Sequence, residues 1–363
     1  MRLGPAGGPL LNLGSRAART RGALAALCGL TLLLAAGCGG AASPGGAVSS
    51  TIVIAAEPGV SDAAIYLAQK DGLFAAEGLA HVRIQAYPNQ QAELNALQAG
   101  QADIAASDYG NVFYWQAQYH DLRILADGYD ATAGSLEILT LPGSSIKTPA
   151  DLANPNVAIG EPADDWLGPK LTSAGAPASL DAAAATQVIT NFVGPGAAES
   201  MQSDGQWHPM PQQREVSELA DHKLQAILVS EPYIYQAESE LGAVELLDAA
   251  SGSTAGLPLL GYVAQDAWVR QNSAAVADFQ AAMAKADANA SLAGQVQAVL
   301  PGATHMSVQD ADLITVGSYP TSTSVQDLEG VVRLMGDQHM INTNSTVIAN
   351  RVSIKAMLVG SGN

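Results

Sequence analysis

Hydrophobic and polar residues follow one another along this chain in a repeated order, and the clearest example runs from Leu97 to Asp108. The small apolar residues at its start predict the inner face of a helix, and Gly100 supplies the left-handed residue that commonly ends one. Residues 104–106 are apolar and uncharged, which is typical of a strand covered on both faces, and Ser107 and Asp108 follow them. Because ligands bind at the carboxyl ends of strands in open parallel sheets, this polar end is a candidate binding position.

A weaker copy of the same order, from helix through turn and apolar strand to a polar end, runs from Leu219 to Pro232. Two such units predict an α/β protein with two mostly parallel sheets flanked by helices. The pattern predicts further strands at 51–56, 82–87, 122–126, 136–141, 157–159, 244–247 and 257–264, and helices at 61–70, 111–118, 273–290 and 324–335. Residues 194–214 lack periodicity and predict a long irregular connection.

The first 37 residues predict a lipoprotein signal peptide. They contain four arginines and no acidic residue, and their apolar run is shorter than the roughly 20 residues that a membrane span needs. Residues 32–38 resemble a lipobox that ends in Cys38, with Ala35 where leucine is more usual. We therefore expect cleavage before Cys38, lipidation of its thiol, and a flexible tether over residues 38–49. The alternative is an ordinary secretory signal with an incidental cysteine.

The composition of the chain excludes several kinds of site and partner. The only other cysteine, Cys28, lies in the segment to be removed, so the mature chain has no disulfide, zinc-thiolate site or cysteine nucleophile. The six histidines lack metal-ligand spacing, and no phosphate-binding or dinucleotide loop occurs, so we predict no metal site, no cofactor and no catalytic residue. Removal of the four arginines takes the net charge from −18 to −22, which argues against a nucleic-acid partner.

Several stretches together resemble the solute-binding proteins of bacterial ABC importers, in the branch that takes nitrate, sulfonates, taurine and thiamine precursors. The residues that carry the resemblance are 63–74, 97–103, 146–152, 224–232 and 261–286, in the order that this group shows. The resemblance implies a periplasmic-binding-protein type II fold, with a first lobe from residues 50–141 and 259–363 and a second lobe from 142–258. It also implies ligand capture by hinge closure, partnership with a permease and its ATPase, and a monomer. One departure is Gln225, where the group often has aspartate, and we expect this change to remove a hydrogen bond of the turn.

In that fold the polar strand ends face a cleft between the lobes, and they form our predicted ligand-binding set. Its members are Glu57, Asp62, Gln90, Ser107, Asp108, Tyr109, Tyr129, Asp164, Trp166, Glu231 and Tyr233. The set contains carboxylates, amides and aromatic rings but no lysine or arginine, which favours a neutral or cationic organic solute over an anion. Two alternatives stay open: Asp108 and Asp164 could simply cap helices, and Trp166 could belong to the core.

The function predicted from the sequence is capture of a small organic solute at the outer face of the cell membrane for an ABC importer. A second possibility is a lipid-anchored receptor that presents its ligand to a membrane sensor through the same cleft. A third is an enzyme, because the resemblance extends to proteins that make the thiamine pyrimidine. The chain lacks the cysteine-rich motif of those enzymes, so we expect no enzymatic activity.

Overall fold

The structure is a computed structural model that describes residues 51–163, 168–173, 176–194, 196–197, 200–201, 206–304, 306–344 and 346–360. The signal peptide, Cys38 and the tether lie outside these residues and stay predictions. Among the described helices, none combines the length and the apolar character that a membrane crossing requires.

Strands and helices alternate through most of the described chain. The strands are β1 (Ile52–Ala56), β2 (Val82–Ala86), β3 (Ile104–Asp108), β4 (Leu122–Asp130), β5 (Leu136–Thr140), β6 (Ile159–Pro162), β7 (Trp207–Met210), β8 (Ala226–Ser230), β9 (Val244–Asp248) and β10 (Pro258–Gln265). The helices up to the start of β9 are α1 (Ala63–Lys70), α2 (Leu73–Ala76), α3 (Gln90–Gln98), α4 (Tyr109–Tyr119), α5 (Gly168–Ser173), α6 (Leu180–Val193), α7 (Gln212–Ala220) and α8 (Tyr233–Leu241). Those after β10 are α9 (Asp266–Gln271), α10 (Ser273–Ala290), α11 (Ala293–Thr304), α12 (Val308–Ala311), α13 (Val325–Asp337), α14 (Thr346–Arg351) and α15 (Ile354–Met357).

The strands form two sheets of the same design, one in each lobe. The first has the order β2-β1-β3-β10-β4, with β1 parallel to β2 and β3, and β10 antiparallel to both of its neighbours. The second has the order β7-β6-β8-β5-β9, with β6 parallel to β7 and β8, and β5 antiparallel to both of its neighbours. The predicted α/β class with two sheets is confirmed. Each sheet is mixed, because one antiparallel strand is inserted into it.

Helices cover both faces of the first sheet, which explains why β1 and β3 are apolar without alternation. One face packs against α1, α10 and α11, where Phe279 stacks on Phe74 at 6.1 Å between ring centroids and meets the Tyr262 ring at 5.6 Å. Burial of one such aromatic side chain contributes about 1.5–3 kcal/mol to stability. The other face packs against α3 and α4.

The turns that enter β3 and β8 are held by equivalent hydrogen bonds. The Asp103 carboxylate accepts from the Val53 N–H at 2.9 Å, and the Gln225 side-chain oxygen accepts from the Ala158 N–H at 2.8 Å. The expected loss of a turn hydrogen bond at Gln225 is therefore wrong, because an amide oxygen accepts at the same position as a carboxylate oxygen.

Two other expectations require correction. Residues 136–141 were assigned to the first lobe, but β5 pairs with β8 and β9 in the second sheet, so the chain leaves the first lobe before Leu136. Residues 194–214 were expected to be irregular, but they include β7 and the start of α7. β7 was missed because it lies at the sheet edge and pairs only with β6, so its sequence Trp-His-Pro-Met carries neither alternation nor a continuous apolar run.

The two connections between the lobes are hydrogen-bonded to each other. The Ala131 N–H donates to the Leu257 carbonyl at 2.9 Å, and the Gly256 N–H donates to the Ala131 carbonyl at 3.0 Å. Asp130 exchanges two further backbone hydrogen bonds with Ser318 at this level. Paired crossovers of this kind are a suitable place for a hinge, because the rest of each lobe is held by its own sheet and core.

Candidate ligand-binding cleft

The candidate site is the cleft between the lobes, at the carboxyl ends of the parallel strands. In the first lobe β1 leads to Glu57 and β3 ends at Asp108, and in the second lobe β8 leads to Glu231. Because β1 and β3 are parallel neighbours, their polar ends lie at the same edge of the sheet.

The lobes touch at several points around this cleft. At the start of α4, a Cβ added to Gly110 would lie 3.2 Å from the Cβ of Leu180 at the start of α6, so glycine permits this close approach. On another side, Glu231 Oε1 accepts from the Thr315 N–H at 2.9 Å. Both contacts join the first lobe to the second.

Asp108 caps a helix, as one of the two interpretations from sequence predicted. Its Oδ1 accepts from the Asn111 N–H and its Oδ2 from the Asn111 side-chain amide, each at 2.7 Å. Gln90 joins this network, because its side-chain oxygen accepts from the Asp108 N–H and from the Asn111 amide, both at 3.1 Å. A carboxylate of the chain itself therefore occupies the N-terminus of α4, which is the position that an anionic ligand would seek.

Two carboxyl groups of the first lobe, Asp62 and Glu93, are buried and have no basic partner among the described residues. Asp62 is 2 % exposed and Glu93 is fully buried, and neither takes part in a salt bridge among the described residues. Asp62 Oδ1 has no hydrogen-bond partner, and the backbone N–H of Glu57 is the one group that acts on the Glu93 carboxyl as a hydrogen-bond donor among the described residues. Glu93 was not among the predicted site residues. In the sequence, Glu93 is an ordinary position of a predicted helix. It becomes a candidate site residue only because the acidic residues at the ends of β1 and β3 act on it in the structure.

Burial is the main cause of the raised pKa values of Asp62 and Glu93. Burial, then repulsion by Asp62, Glu57 and Asp108, raises the pKa of Glu93 well above its ordinary value, and the backbone N–H of Glu57 offsets part of the rise. Burial, followed by repulsion from Glu57, likewise raises the pKa of Asp62, while the Ser61 hydroxyl at 3.2 Å lowers it. The charged neighbours that act on Glu93 are all acidic, so this wall of the cleft has a strongly negative potential when its carboxyl groups ionise.

Aromatic side chains accompany the acids. The Tyr233 side chain is half-buried at the start of α8. Burial, followed by the charge of Glu57 from the other lobe, raises the pKa of Tyr233. Tyr66 lies near Asp62, Glu93 and Glu57, and its buried hydroxyl has no hydrogen-bond partner.

Glu231 ties the lobes together. Besides Thr315, it accepts from the Tyr235 N–H through Oε2 at 3.1 Å. Burial raises the pKa of Glu231, and these two backbone hydrogen bonds oppose the rise. Its carboxyl group is therefore engaged by the protein, and a ligand contact by Glu231 stays a prediction.

Three predicted residues lie beneath the surface of the cleft. Tyr109 is fully buried, stacks on Phe113 at 5.4 Å between centroids, and donates its hydroxyl to Asp127 at 3.1 Å. Tyr129 is 6 % exposed and meets the Tyr319 ring at 5.3 Å. Ser107 is fully buried. A ligand contact by these three side chains stays a prediction. Two others, Asp164 and Trp166, lie outside the described residues.

A metal site receives no support from the described part of the chain, where no three histidine, cysteine, aspartate or glutamate side chains are grouped as metal ligands. The chemistry that the cleft does offer is hydrogen-bond acceptance, negative potential and aromatic surface.

Comparisons with known proteins agree with this architecture. Residues 61–176 match the family model described as NMT1/THI5 like. No curated protein sequence matches the chain. Among solved structures, the aliphatic sulphonate binding protein SsuA from Escherichia coli is similar over 84 % of this chain and 98 % of its own, with a TM-score of 0.62 and 16 % identity. The nitrate-binding protein NrtA from Synechocystis PCC 6803 is similar over 85 % of this chain and 86 % of its own, with a TM-score of 0.61 and 13 % identity.

The desulfurization enzyme DSZB also has this fold, with a TM-score of 0.54, 10 % identity, and coverage of 83 % of this chain and 99 % of its own. The fold is therefore that of the periplasmic binding proteins, as predicted. The match over residues 61–176 to the NMT1/THI5 like model, together with the similarity to SsuA and NrtA, supports the resemblance that the sequence predicted.

Proposed function

We propose that this protein is the extracytoplasmic solute-binding component of an ABC importer, anchored through Cys38, and that it captures a small organic solute between its lobes. The solute is neutral or cationic and contacts the acidic wall around Glu57 and Asp108 together with the Tyr233 ring. Its partners are a permease and an ATPase. The SsuA and NrtA neighbours support the solute-binding role, because both are binding proteins of this fold.

The observation that carries the charge preference is the burial of Asp62 and Glu93 without a salt bridge to any basic residue that the structure describes. An anion bound there would oppose the ionisation of these two carboxyl groups further, whereas a cation would favour their ionised form and be held by it. Two helix N-termini already have a side-chain cap from the chain itself, since Asp108 caps α4 and the Ser179 hydroxyl caps α6. Cation-π contact with Tyr233 would add about 0.5–2 kcal/mol to binding.

A thermal-shift screen of the purified protein tests this proposal. The panel contains polyamines, thiamine and its pyrimidine precursors, and nucleobases, and it contains taurine, alkanesulfonates and nitrate as the opposing set. A ligand at 100 times its Kd adds about 2.7 kcal/mol of stability. This gain corresponds to a shift of about 5–10 °C at the roughly 2–4 °C per kcal/mol of mid-sized domains. A shift with an amine or heterocycle that shrinks in Tyr233→Ala supports the proposal.

The matched control is Tyr119→Ala, because Tyr119 is an exposed tyrosine at the end of α4 and on the first lobe. A shift confined to nitrate or the sulfonates would refute the charge preference and leave the solute-binding role intact. A second candidate function, presentation of the ligand to a membrane sensor, uses the same cleft, and capture of the protein by a permease in a pull-down would separate the two. Turnover of any panel compound would support the enzyme alternative, for which the DSZB fold is a precedent.

A further inference from the structure

The first lobe contains a second cavity, separate from the strand ends that face the cleft. Its volume is about 250 Å³, and it lies beside the edge strand β4, between α10, the start of α13, the loop 320–323 and residues 358–360. No lysine, arginine or histidine is among the side chains that line it.

Two carboxyl groups line this cavity from opposite elements. Asp127 on β4 is 3 % exposed, and Asp287 on α10 is 2 % exposed. Asp287 Oδ1 has no hydrogen-bond partner, whereas Asp127 Oδ1 accepts from the Tyr109 hydroxyl at 3.1 Å and the Gly128 N–H at 3.2 Å. A buried carboxyl group without a partner is costly, so a native structure that keeps one calls for an explanation such as a bound group.

Hydrogen bonds that do not involve the two carboxyl groups hold the walls of the cavity together. The Gln280 amide donates to the Leu125 carbonyl at 2.6 Å and to the Val359 carbonyl at 3.2 Å, which joins α10, β4 and the C-terminal segment. On the other side, the Asp127 N–H donates to the Thr323 hydroxyl at 2.9 Å. The cavity is therefore bounded by elements that are hydrogen-bonded to one another.

The charged groups that act on this pair are acidic on every side. Burial, then repulsion by Asp127 and Asp130, raises the pKa of Asp287 to about 9. Burial, Asp130 and Asp327 raise the pKa of Asp127, and the hydrogen bonds from Tyr109 and Gly128 oppose the rise. None of the side chains that line the cavity supplies a positive charge that could compensate these groups.

We propose that this cavity binds a small organic ammonium ion, whose N–H groups donate to Asp127 and Asp287 and whose carbon chain lies against Leu125, Ala284 and Val325. The cavity is smaller than the roughly 300–1,000 Å³ of drug-sized sites, which restricts the ligand to a short amine. An ammonium suits the site better than a metal ion, because the described residues offer no group of three metal-ligating side chains. The site is independent of the proposed function, since all of its lining residues lie outside the cleft.

Calorimetric titration of the purified protein with n-butylammonium at pH 8, in two amine-free buffers of different ionisation heat, tests the site. We expect saturable one-to-one binding with proton release, absence of binding for n-butanol and butyrate, and affinity at least tenfold weaker in Asp287→Asn. The matched control Asp278→Asn lies on the same helix at a half-exposed position and should bind as the parent does. The cleft variant Asp62→Asn should also retain binding.

Ala284→Leu provides a second variant, because it fills the cavity without a change of charge and should weaken binding even if Asp287→Asn folds poorly. Saturable binding that is unchanged in both variants would overturn the site, as would no binding of butylammonium. Inorganic ammonium that binds as tightly as butylammonium would overturn the assignment of an organic ligand.

Discussion

Replacement of Glu161 by glutamine should stabilise the protein at neutral pH. Glu161 lies in β6 with no exposed surface, its Oε2 accepts from the Ala178 N–H at 3.3 Å, and Oε1 has no partner. Burial raises its pKa from 4.5 to about 8, although the hydrogen bond from Ala178 lowers it. Glutamine keeps the size and the accepting oxygen but cannot ionise.

The magnitude follows from linkage between folding and proton binding. Between pH 4.5 and 8 the folded state binds a proton at Glu161 that the unfolded state has released, so the free energy of unfolding falls as pH rises. The slope is about 1.4 kcal/mol per pH unit, and the loss at pH 7 is about 3 kcal/mol. Glu161→Gln lacks this slope. Its stability relative to the parent should therefore increase steadily from pH 5 to pH 8.

Urea unfolding followed by circular dichroism at pH 5, 6, 7 and 8 measures this difference. Glu329→Gln is the matched control, because Glu329 is exposed on α13 and its replacement should leave the pH slope unchanged. A stability difference between Glu161→Gln and the parent that is the same at pH 5 and pH 7 would refute the burial argument. Glu215, which lies near Glu161 and is also fully buried, should show the same trend when replaced by glutamine.

Three further predictions concern the turn, the core and the cleft. Gln225→Ala should lower the free energy of unfolding by about 1 kcal/mol in a urea titration, because the Ala158 N–H loses its acceptor. Gln225→Glu keeps an accepting oxygen and should lose only a small part of this stability. Gly261→Ala should destabilise the first lobe by about 1–3 kcal/mol, because the new Cβ overlaps the Tyr109 ring, whereas Gly294→Ala meets nothing within 4 Å. Tyr233→Ala should weaken solute binding about 2- to 30-fold by calorimetry. Equal midpoints for the two glycine variants, or unchanged affinity in Tyr233→Ala, would contradict these expectations.

Local sequence was sufficient for the order of elements within one continuous stretch. Residues 97–108 were predicted as helix end, turn, buried strand and polar end, and α3, β3 and the cap by Asp108 follow that order. The lobe of β5 could not be predicted in this way. Its apolar run suits either sheet, and its place depends on pairing with β8, which lies about 90 residues further along the chain.

The candidate site residues at strand ends could be predicted from the sequence, but the role of buried residues could not. Glu57 and Tyr233 were predicted because polar residues after apolar strands mark a ligand-binding edge, and the charge of Glu57 acts on the Tyr233 hydroxyl in the structure. The burial of Tyr109 could not be predicted, because the space for its ring is opened by Gly261 on β10, which is distant in the sequence. Glu93 was missed because its significance comes from Asp62 and Glu57, which reach it only in three dimensions.

The most direct test of the account is native mass spectrometry of the protein purified from its own cells, with identification of any solute that is released on unfolding. The account predicts one small organic molecule per chain, neutral or positively charged, whose occupancy falls in Tyr233→Ala and is retained in Tyr119→Ala. Recovery of a sulfonate, nitrate or another anion at full occupancy would contradict the assignment of an acidic cleft for a neutral or cationic solute.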